Sequence, residues 1–509
     1  MHPSTCWPAA SGRRWNGLWM LAISLACTGI AAANDGTAPP PRASVAAAAT
    51  VDEEGAAPAP HGPVTGASPT VAASVFAQWL NDAPEDESLH RRDAALTAAQ
   101  LRKMFYDMAT LAAAASPDVL QARAQAEAAG DDVGTARGQR LPQVSLGAQT
   151  RAKTFGGPSL SPNDTNRYDS VSLNMQTTVF DWGSGRKNVQ SSRQLAQAAG
   201  LGYRAALESN ALDVCTTLLE LGRHRTMTAL GDAYVARMRT LVNMLAQIAR
   251  ADQGRRSEWV QAKAQLLSAM TVRDTSATQM RNDELKLRIL LNGQHAEIPD
   301  GGRWPISDEG LKSLAGDYRD HPAVLQAKAT AAAADLHAGS LGASFKPRVD
   351  WLVSKSAFRD AQGLQRPWQT VLQVSWPLFS GGANSSSRRA AFARAEGSHQ
   401  QAASLERNYE YQLRDAVLNA RDAFKRADDY GDLVNETLQV RKAMFEQWYQ
   451  LGKRSLLDVL ISETDHYNDQ IGEVSSRFDG YEAVISAYAG AGKLLDWLSS
   501  SGENEASKQ

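Results

Sequence analysis

The sequence predicts a mainly α-helical protein that also carries β-strands and is built from two copies of one unit. Residues 116–144, SPDVLQARAQAEAAGDDVGTARGQRLPQV, align without a gap with residues 321–349, HPAVLQAKATAAAADLHAGSLGASFKPRV. In both copies a long proline-free stretch rich in helix-forming residues follows. Each copy is therefore predicted to run from a short helix through two strands into a very long helix and a returning helix.

An export signal is predicted at the N-terminus. Arg13 and Arg14 precede an apolar stretch over residues 18–30 and a run of alanines that ends at Ala33, where cleavage is expected. A retained anchor helix is the alternative, although the apolar stretch is short and no stop-transfer pattern follows it. Cys27 leaves lipidation open, because the SLAC segment matches a lipidation motif only in part.

The remainder of the chain divides into four segments. Residues 34–88 form an Ala/Pro-rich leader with few large apolar side chains, which predicts disorder. Repeat 1 covers residues 89–300, repeat 2 covers residues 301–498, and residues 499–509 form a polar tail. The formal net charge of −2 gives no reason to expect a nucleic-acid partner.

Two strands are predicted in each repeat, over about 142–155 and 168–181 in repeat 1 and about 348–358 and 368–379 in repeat 2. In the second strand Val171, Leu173, Met175 and Val179 alternate with polar residues. Strands of about ten residues with this alternation suit a bilayer barrel. A soluble hairpin with one buried face explains the alternation equally well.

Each strand pair is followed by a helical hairpin. The helices are predicted over 184–252 and 257–292 in repeat 1, and over 385–450 and 455–498 in repeat 2. A short helix stacked on a returning helix would match one long helix in length. Gly254 and Gly452 suit the ends of the long helices, and Ser257 and Ser455 are expected to cap the returning helices.

Each transition from strand to helix is predicted to be a hinge. The segments TTVFDWGSGRKNVQSSR (177–193) and VSWPLFSGGANSSSRR (374–389) make the same change of pattern. Glycine is expected to supply the backbone angles of the hinge. The hinge residues are Phe180, Gly183 and Gly185 in repeat 1 and Phe379, Gly381 and Gly382 in repeat 2.

The strand number predicts an oligomer. Four strands cannot close a barrel, and lipid does not tolerate an open sheet edge. Three copies of the chain would supply twelve strands, an even number within the range of outer-membrane barrels. The predicted fold is therefore a homotrimer with a 12-stranded β-barrel and a continuous α-helical barrel.

The paired LFSGG and FDWGSG segments, the Pro-x-Val-Leu helix starts and YQLGKRSLLDVL (449–460) resemble the TolC-type outer-membrane factor family. The resemblance spans residues 95–498. It implies a trimeric channel-tunnel in the outer membrane of a Gram-negative bacterium, with a large periplasmic portion. The implied partners are outer-membrane lipid, a periplasmic adaptor (membrane fusion protein) and an inner-membrane exporter, for which the ABC type is favoured.

The resemblance also implies roles for residues at the hairpin tips. Asp458 would face the lumen in a threefold ring of carboxylates at the periplasmic entrance, and Tyr449 and Arg454 would help to hold this entrance closed. Further acidic positions of the family read Val260 and Ile461 here, so a second acidic ring is not implied. The implied adaptor-docking residues are Gly254, Arg255, Arg256, Ser257, Gly452, Lys453 and Ser455.

No catalytic function, cofactor or metal site is predicted. AGAGK (489–493) lacks the spaced glycine of a phosphate-binding loop, and Leu494 stands where serine or threonine is needed. The sequence has no His-Glu-x-x-His, no Gly-x-Ser-x-Gly and no clustered cysteines.

Two classes of function remain. The first is a passive exit duct, for which type I protein secretion is favoured and efflux of small molecules is the alternative. The second is a periplasmic or surface coiled-coil scaffold, in which the strands pack as soluble hairpins.

Overall fold

The computed structural model describes residues 97–149, 170–295, 298–299, 301–357, 367–449 and 453–500. All of these residues belong to one compact unit. The predicted export signal with Cys27, the predicted leader and residues 501–509 of the predicted tail lie outside the described residues. Within the described ranges, no helix combines the length and the apolar character needed to cross a membrane.

Two very long helices organise the structure. Repeat 1 contains α1 (Ala98–Ala115), α2 (Pro117–Gly138), α3 (Ser184–Ala251) and α4 (Arg256–Leu290), and repeat 2 contains α5 (Pro322–Ser344), α6 (Ala383–Tyr449), α7 (Leu456–Gly490) and α8 (Leu494–Ser499). Helices α3 and α6 have 68 and 67 residues. At about 1.5 Å per residue each is a rod of roughly 100 Å.

Shorter helices pack in pairs along these rods. Helices α2 and α4 both pack along α3, at successive positions on its length. Helices α5 and α7 both contact α3 and α6 and lie between them. The α5–α7 stack is close, because a Cβ placed on Gly492 just after α7 would lie 2.5 Å from the Cδ of Pro322, the first residue of α5. The stacking predicted from the helix lengths is thus found in repeat 2.

The helix predicted over 455–498 is divided into two helices, which corrects the prediction. Helix α7 ends at Gly490, and Gly492 has a left-handed φ of 67°. The backbone N–H of Lys493 then donates to the carbonyl of Tyr488, which closes the helix end. Helix α8 starts anew at Leu494, whose N–H donates to the Glu208 carboxylate at 3.0 Å.

The strands of both repeats form one antiparallel sheet. Strands β1 (Gln143–Gln149), β2 (Ser170–Phe180), β3 (Arg348–Ser356) and β4 (Gln369–Ser375) lie in the order β1-β2-β3-β4. The β2–β3 pairing joins the repeats. Within the described residues, β1 and β4 each keep one unpaired edge. The part of the first strand predicted beyond residue 149 and the end of the third predicted strand, at residue 358, fall outside those residues.

The register gives the sheet one apolar and one mainly polar face. Directly paired residues point to the same side of an antiparallel sheet. The apolar side carries Val144, Leu146, Ala148, Val171, Leu173, Met175, Val349, Trp351, Val353, Leu372 and Val374, with Thr177, Lys355 and Thr370 as polar exceptions. The other side carries mostly Ser, Thr, Asn, Gln and Asp, with Leu352 and Val371 as exceptions.

Two strand details differ from the predictions. A bulge between Thr178 and Phe180 shifts the register, so that Phe180 rather than Val179 pairs with Val349 on the apolar face. Strand β4 ends at Ser375 instead of near 379. Pro377 follows directly and has no N–H to donate to a ladder.

A connecting segment between the repeats packs against α3 and α7. The ring of Trp304 contacts the ring of Phe478 at a centroid distance of 5.2 Å, and its backbone N–H donates to the hydroxyl of Tyr481 at 2.9 Å. Arg303 donates to the buried carboxylate of Glu473 at 2.6 Å. This segment therefore covers one side of α7.

Candidate functional site

The hinges between the sheet and the long helices use a pair of left-handed residues. In repeat 2 these are Gly381 (φ 61°) and Gly382 (φ 85°), and in repeat 1 they are Trp182 (φ 55°) and Gly183 (φ 80°). Glycine adopts this region without steric cost, whereas tryptophan does not. In repeat 1 the position equivalent to Gly381 is Trp182, which adopts the left-handed conformation despite its steric cost.

Gly185 does not supply a hinge angle, which corrects the prediction. It lies in the first turn of α3, and its N–H donates to the Oδ2 of Asp181 at 2.6 Å. A Cβ at this position would lie 2.9 Å from that oxygen. Gly185 thus permits a close approach of Asp181, which also accepts from the N–H of Gly183.

Contacts from repeat 2 hold Trp182 in its conformation. Its indole N–H donates to the carbonyl of Pro347 at 2.9 Å, and the ammonium of Lys346 lies 4.9 Å from the ring centroid. Phe180 packs edge-on against the same ring. Phe379, the equivalent of Phe180, is 89% exposed. An alignment of FDWG (180–183) with FSGG (379–382) places Trp182 opposite Gly381, and this is the sequence signal that could have identified Trp182 as a hinge residue.

The tip of the second hairpin begins α7 with a reciprocal cap. The Ser455 hydroxyl accepts from the N–H of Asp458 at 3.3 Å, and Oδ2 of Asp458 accepts from the N–H of Ser455 at 3.1 Å. These hydrogen bonds and the nearby charge of Arg454 lower the pKa of Asp458. The predicted cap at Ser455 is confirmed.

The other predicted residues of this tip lie on either side of the cap. Arg454 donates to the side-chain oxygen of Gln447 at 3.2 Å, and the N–H of Lys453 donates to the backbone carbonyl of Gln447. The ring of Tyr449 stacks on Phe445, and burial raises the pKa of its phenol. Gly452 lies outside the described residues. The structure describes no direct contact between Tyr449 and Asp458.

The tip of the first hairpin has a different cap from the predicted one. Residues Gln253–Arg255 form a 3-10 turn, whose start is held by the Asp252 carboxylate accepting from the N–H of Gly254. Helix α4 follows at Arg256, so that Ser257 lies inside the helix and caps nothing. Gly254 does not have the left-handed conformation of a helix-ending glycine. The turn leads straight into α4, so no extended capping residue is needed.

The two tips meet through Arg255. Its guanidinium pairs with the carboxylate of Glu258 at 3.0 Å and lies 5.8 Å from the centroid of the Trp448 ring. Trp448 is buried next to Phe445. This contact connects the predicted docking residues of repeat 1 to the end of α6.

A buried polar layer above the tips was not predicted. Arg237 of α3 and Arg441 of α6 both approach Oε2 of Glu463 on α7, at 3.0 and 3.7 Å. Next to them His466 contacts the Thr437 hydroxyl at 3.1 Å. Burial, assisted by the charges of the arginines, lowers the pKa of His466 to about 3. The layer connects α3, α6 and α7.

The sheet keeps two free edges within the described residues and continues into paired helical rods, an arrangement typical of one subunit of an assembled membrane channel. A family model described as "Outer membrane efflux protein" matches residues 108–293 and 319–486. The chain belongs to the outer membrane efflux protein family. This confirms the family resemblance, the fold class and the outer-membrane location, and it identifies a passive channel rather than an enzyme.

Solved outer-membrane proteins share the fold. VceC of Vibrio cholerae is 21% identical with a TM-score of 0.68, covering 78% of this chain and 98% of that chain. The CmeC channel of Campylobacter jejuni is 15% identical with a TM-score of 0.68, covering 77% and 86%. The open MtrE channel of Neisseria gonorrhoeae is 16% identical with a TM-score of 0.64, covering 77% and 90%. A comparison with curated proteins finds no significant match.

Channels of this family are trimers that work with periplasmic adaptors and inner-membrane pumps. The hinges between sheet and rod and the tips of the two helical hairpins are therefore the candidate functional regions of this chain.

Proposed function

We propose that three copies of this chain form the outer-membrane exit duct of a tripartite export system. The observation that carries the proposal is the sheet β1-β2-β3-β4, whose outer strands both keep a free edge within the described residues. Pairing β4 of one copy with β1 of the next closes twelve strands and satisfies both edges.

The exposed residues of the sheet fit a lipid-facing wall. Leu146, Leu372 and Val374 on the apolar face are 74%, 69% and 67% exposed in the single chain. Trp368 and Trp376 stand just before and just after β4 and are also exposed. Aromatic residues at both rims are typical of proteins that sit in a bilayer. Outer-membrane lipid is the proposed environment of this face.

The helices offer matching flanks for neighbouring copies. Helix α4 covers only one side of α3, and its outer side exposes Val260, Leu267, Leu285 and Ile289. Helix α6, at the opposite flank, exposes Tyr411, Leu418, Leu433 and Val440. Apolar stripes on helices need a neighbour that buries them. Packing α6 of one copy against α4 of the next would bury both stripes and close a helical tube.

The tips are the proposed contact with the periplasmic adaptor, as the family resemblance implies. Arg255, Arg256, Lys453 and Arg454 give both tips positive charge, and Asp458 stays ionised because its pKa is lowered. Tyr449, Arg454 and Asp458 remain the proposed entrance residues, and the adaptor would act on the turns that carry the basic residues.

The test of the duct is the assembly state and conductance of the purified protein. Trimers in native mass spectrometry and ion conductance in planar bilayers are expected. Leu418→Asp should yield monomers, because it places a charge in the proposed helical interface, whereas the control Leu418→Met should remain trimeric. A water-soluble monomer without conductance would favour the scaffold alternative and overturn the duct.

Type I protein secretion through an ABC-type pump is the proposed route of export. Efflux of small molecules is a second candidate, favoured by the description of the matched family as efflux proteins. Deletion of the gene separates the two. Loss of a large protein from the culture medium, with unchanged drug tolerance, supports secretion. Increased drug sensitivity with unchanged secreted protein supports efflux and overturns the first route.

A further inference from the structure

We propose that a belt of basic residues, where the sheet turns into helices, binds the anionic headgroups of phospholipids in the leaflet that faces the helices. The inference rests on the proposed trimeric duct and names a class of lipid that the duct binds. The basic belt consists of Arg137, Arg140, Arg186, Lys346, Arg388 and Arg389.

All four junctions between the sheet and the helices contribute to the belt. In repeat 1, Arg137 and Arg140 come at the end of α2, and Arg186 lies in the first turn of α3. In repeat 2, Lys346 follows α5, and the arginine pair lies in the second turn of α6. The polar layer on each side of a bilayer core is roughly 5–8 Å thick. One to two helical turns span a similar height, so the belt lies at headgroup level.

The charges of the belt have little compensation within the chain. The junction segments comprise residues 137–142, 181–187, 345–350 and 376–389. They contain two acidic residues. Asp350 pairs with Arg348, which is not part of the belt, at 2.8 Å. Asp181 accepts from the N–H groups of Gly183 and Gly185. Within the part of the chain that the structure describes, no belt side chain forms an ion pair with a carboxylate.

Helix electrostatics explains only part of the belt. A cation near the C-terminus of a helix is favourable, which accounts for Arg137 in the last turn of α2. Arg186 has the opposite position. It lies in the first turn of α3, where positive charge is unfavourable and no acidic residue is present. An anion from outside the chain would remove this cost.

Lys346 shows that the belt reaches the lipid-facing side of the wall. Its ammonium lies 4.9 Å from the centroid of the Trp182 ring, and that ring packs against Phe180. Phe180 pairs with Val349 on the apolar face of the sheet. Interfacial tryptophans lie at the level of the headgroups. The exposed Lys346 is therefore placed to bind a lipid phosphate.

Exposed apolar residues beside the belt favour a lipid over a free anion. Trp376, Leu378 and Phe379 are all exposed in the single chain, just before the arginine pair of α6. The guanidinium of Arg388 lies 5.7 Å from the centroid of the exposed Phe392 ring. Cations next to apolar side chains match a charged headgroup and its acyl chains, whereas a free anion would use the cations alone.

The proposed trimer brings belt residues of two copies together. Pairing β4 of one copy with β1 of the next places the start of α6 beside the end of the neighbouring α2. Arg388 and Arg389 then lie near Arg137 and Arg140 of the next copy, and the two junction segments that meet there contain no acidic residue. Like charges repel unless a counter-charge lies between them. An anionic headgroup between the copies would supply it.

Lipid binding to the purified trimer tests the belt. The trimer in a neutral detergent is titrated with phosphatidylglycerol or with phosphatidylcholine of the same chain length, and native mass spectrometry counts the bound lipids. Phosphatidylglycerol should bind about tenfold more tightly. Equal binding of the two lipids would overturn the belt. Competition by inorganic phosphate at equal concentration would identify a general anion site and overturn the lipid as its occupant.

Substitutions test the positions. Arg388→Gln with Arg389→Gln should lower the affinity for phosphatidylglycerol about tenfold. Arg388→Lys with Arg389→Lys keeps the charge and should keep the affinity. The matched control is Lys103→Gln with Lys312→Gln, which removes two exposed cations outside the junctions and should change nothing. Equal losses in the two glutamine variants would overturn the belt.

The outcomes distinguish the belt from the duct. Conducting trimers without a preference for phosphatidylglycerol would overturn the belt and leave the duct intact. Protein without trimers or conductance would overturn the duct and, with it, the lipid site between copies.

Discussion

The Nε of Arg237 on α3 donates a hydrogen bond to Oε2 of Glu463 on α7 across 3.0 Å, and both side chains are almost fully buried. Arg441 of α6 shares the same carboxylate. Burial lowers the pKa of Arg237 to about 10, so the guanidinium stays charged at neutral pH. One carboxylate therefore serves two buried arginines from different helices.

Removing this carboxylate should destabilise the fold strongly. Glu463→Leu leaves two buried guanidinium groups without their counter-charge, and we expect a loss of ~3–5 kcal/mol in the free energy of unfolding. Urea denaturation followed by circular dichroism measures it. The control is Glu127→Leu, which breaks the exposed pair with Arg123 and should cost less than ~1 kcal/mol. Equal effects of the two substitutions would contradict a stabilising role for the layer.

His466 in the same layer should make stability fall in acid. Its pKa is about 3 in the folded chain and 6.5 in the unfolded chain. The folded state therefore binds fewer protons between these values, and stability that is complete above pH 6.5 is lost as the pH falls toward 3. His466→Gln should flatten this part of the stability profile. Parallel profiles of the two proteins between pH 4 and 7 would contradict the prediction.

Glu208 should make stability fall as the pH rises, the opposite of the effect of His466. Burial raises its pKa from 4.5 to about 7, and the negative charge of Asp496 adds to the rise, while hydrogen bonds from the N–H groups of Leu494 and Leu495 oppose it. The folded state binds more protons in this window, so stability is complete below pH 4.5 and falls as the pH rises through 7.

Glu208→Gln tests this, because glutamine keeps a hydrogen-bond acceptor but does not ionise. Relative to wild type, the variant should gain ~3 kcal/mol of stability between pH 4.5 and 8. Urea midpoints at both pH values give the difference. If the difference in stability between the variant and wild type were the same at pH 4.5 and pH 8, the pKa of Glu208 would be equal in the folded and unfolded chains, and the prediction would be wrong.

The hinges should be sensitive to side chains in different ways. Gly382→Ala places a Cβ at a φ of 85° and should cost ~1–2 kcal/mol. Gly130→Ala in α2 is the control, since a Cβ there meets nothing within 4 Å. That substitution should stabilise by up to ~1 kcal/mol. Thermal unfolding compares the two, and a destabilising Gly130→Ala would point to a general effect of glycine replacement.

Trp182→Gly separates backbone strain from contacts at the equivalent hinge. Glycine relieves the left-handed φ, but it removes the hydrogen bond to Pro347 and the contact with Lys346. We expect a net loss of stability of ~1–3 kcal/mol, because the lost hydrogen bond and the lost contacts with Lys346 and Phe180 together outweigh the strain. An increase in the thermal midpoint would show that strain dominates.

Local pattern was enough to predict the elements that depend on neighbours in sequence. Proline-free helical stretches indicated 184–252 and 385–450, and the long helices lie at Ser184–Ala251 and Ala383–Tyr449. The Ser455 cap was also predictable, because a serine three residues before an aspartate needs only its own turn. The cap predicted at Ser257 rested only on its place after the basic pair of the tip, and it failed because a 3-10 turn leads into the helix without an extended residue.

By itself the sequence determined the two repeats, most of the strand faces and the location of the two hinges, because each depends on short-range periodicity or on an alignment of the chain with itself. Only the tertiary structure decided that Trp182 shares the left-handed conformation of Gly381 and that the Glu208 carboxylate of α3 accepts from the first N–H of α8. It also decided that Glu463 pairs with Arg237, 226 positions away in the sequence. Such contacts arise where distant helices pack. Their energies depend on burial and on the loss of water, and no local pattern encodes these.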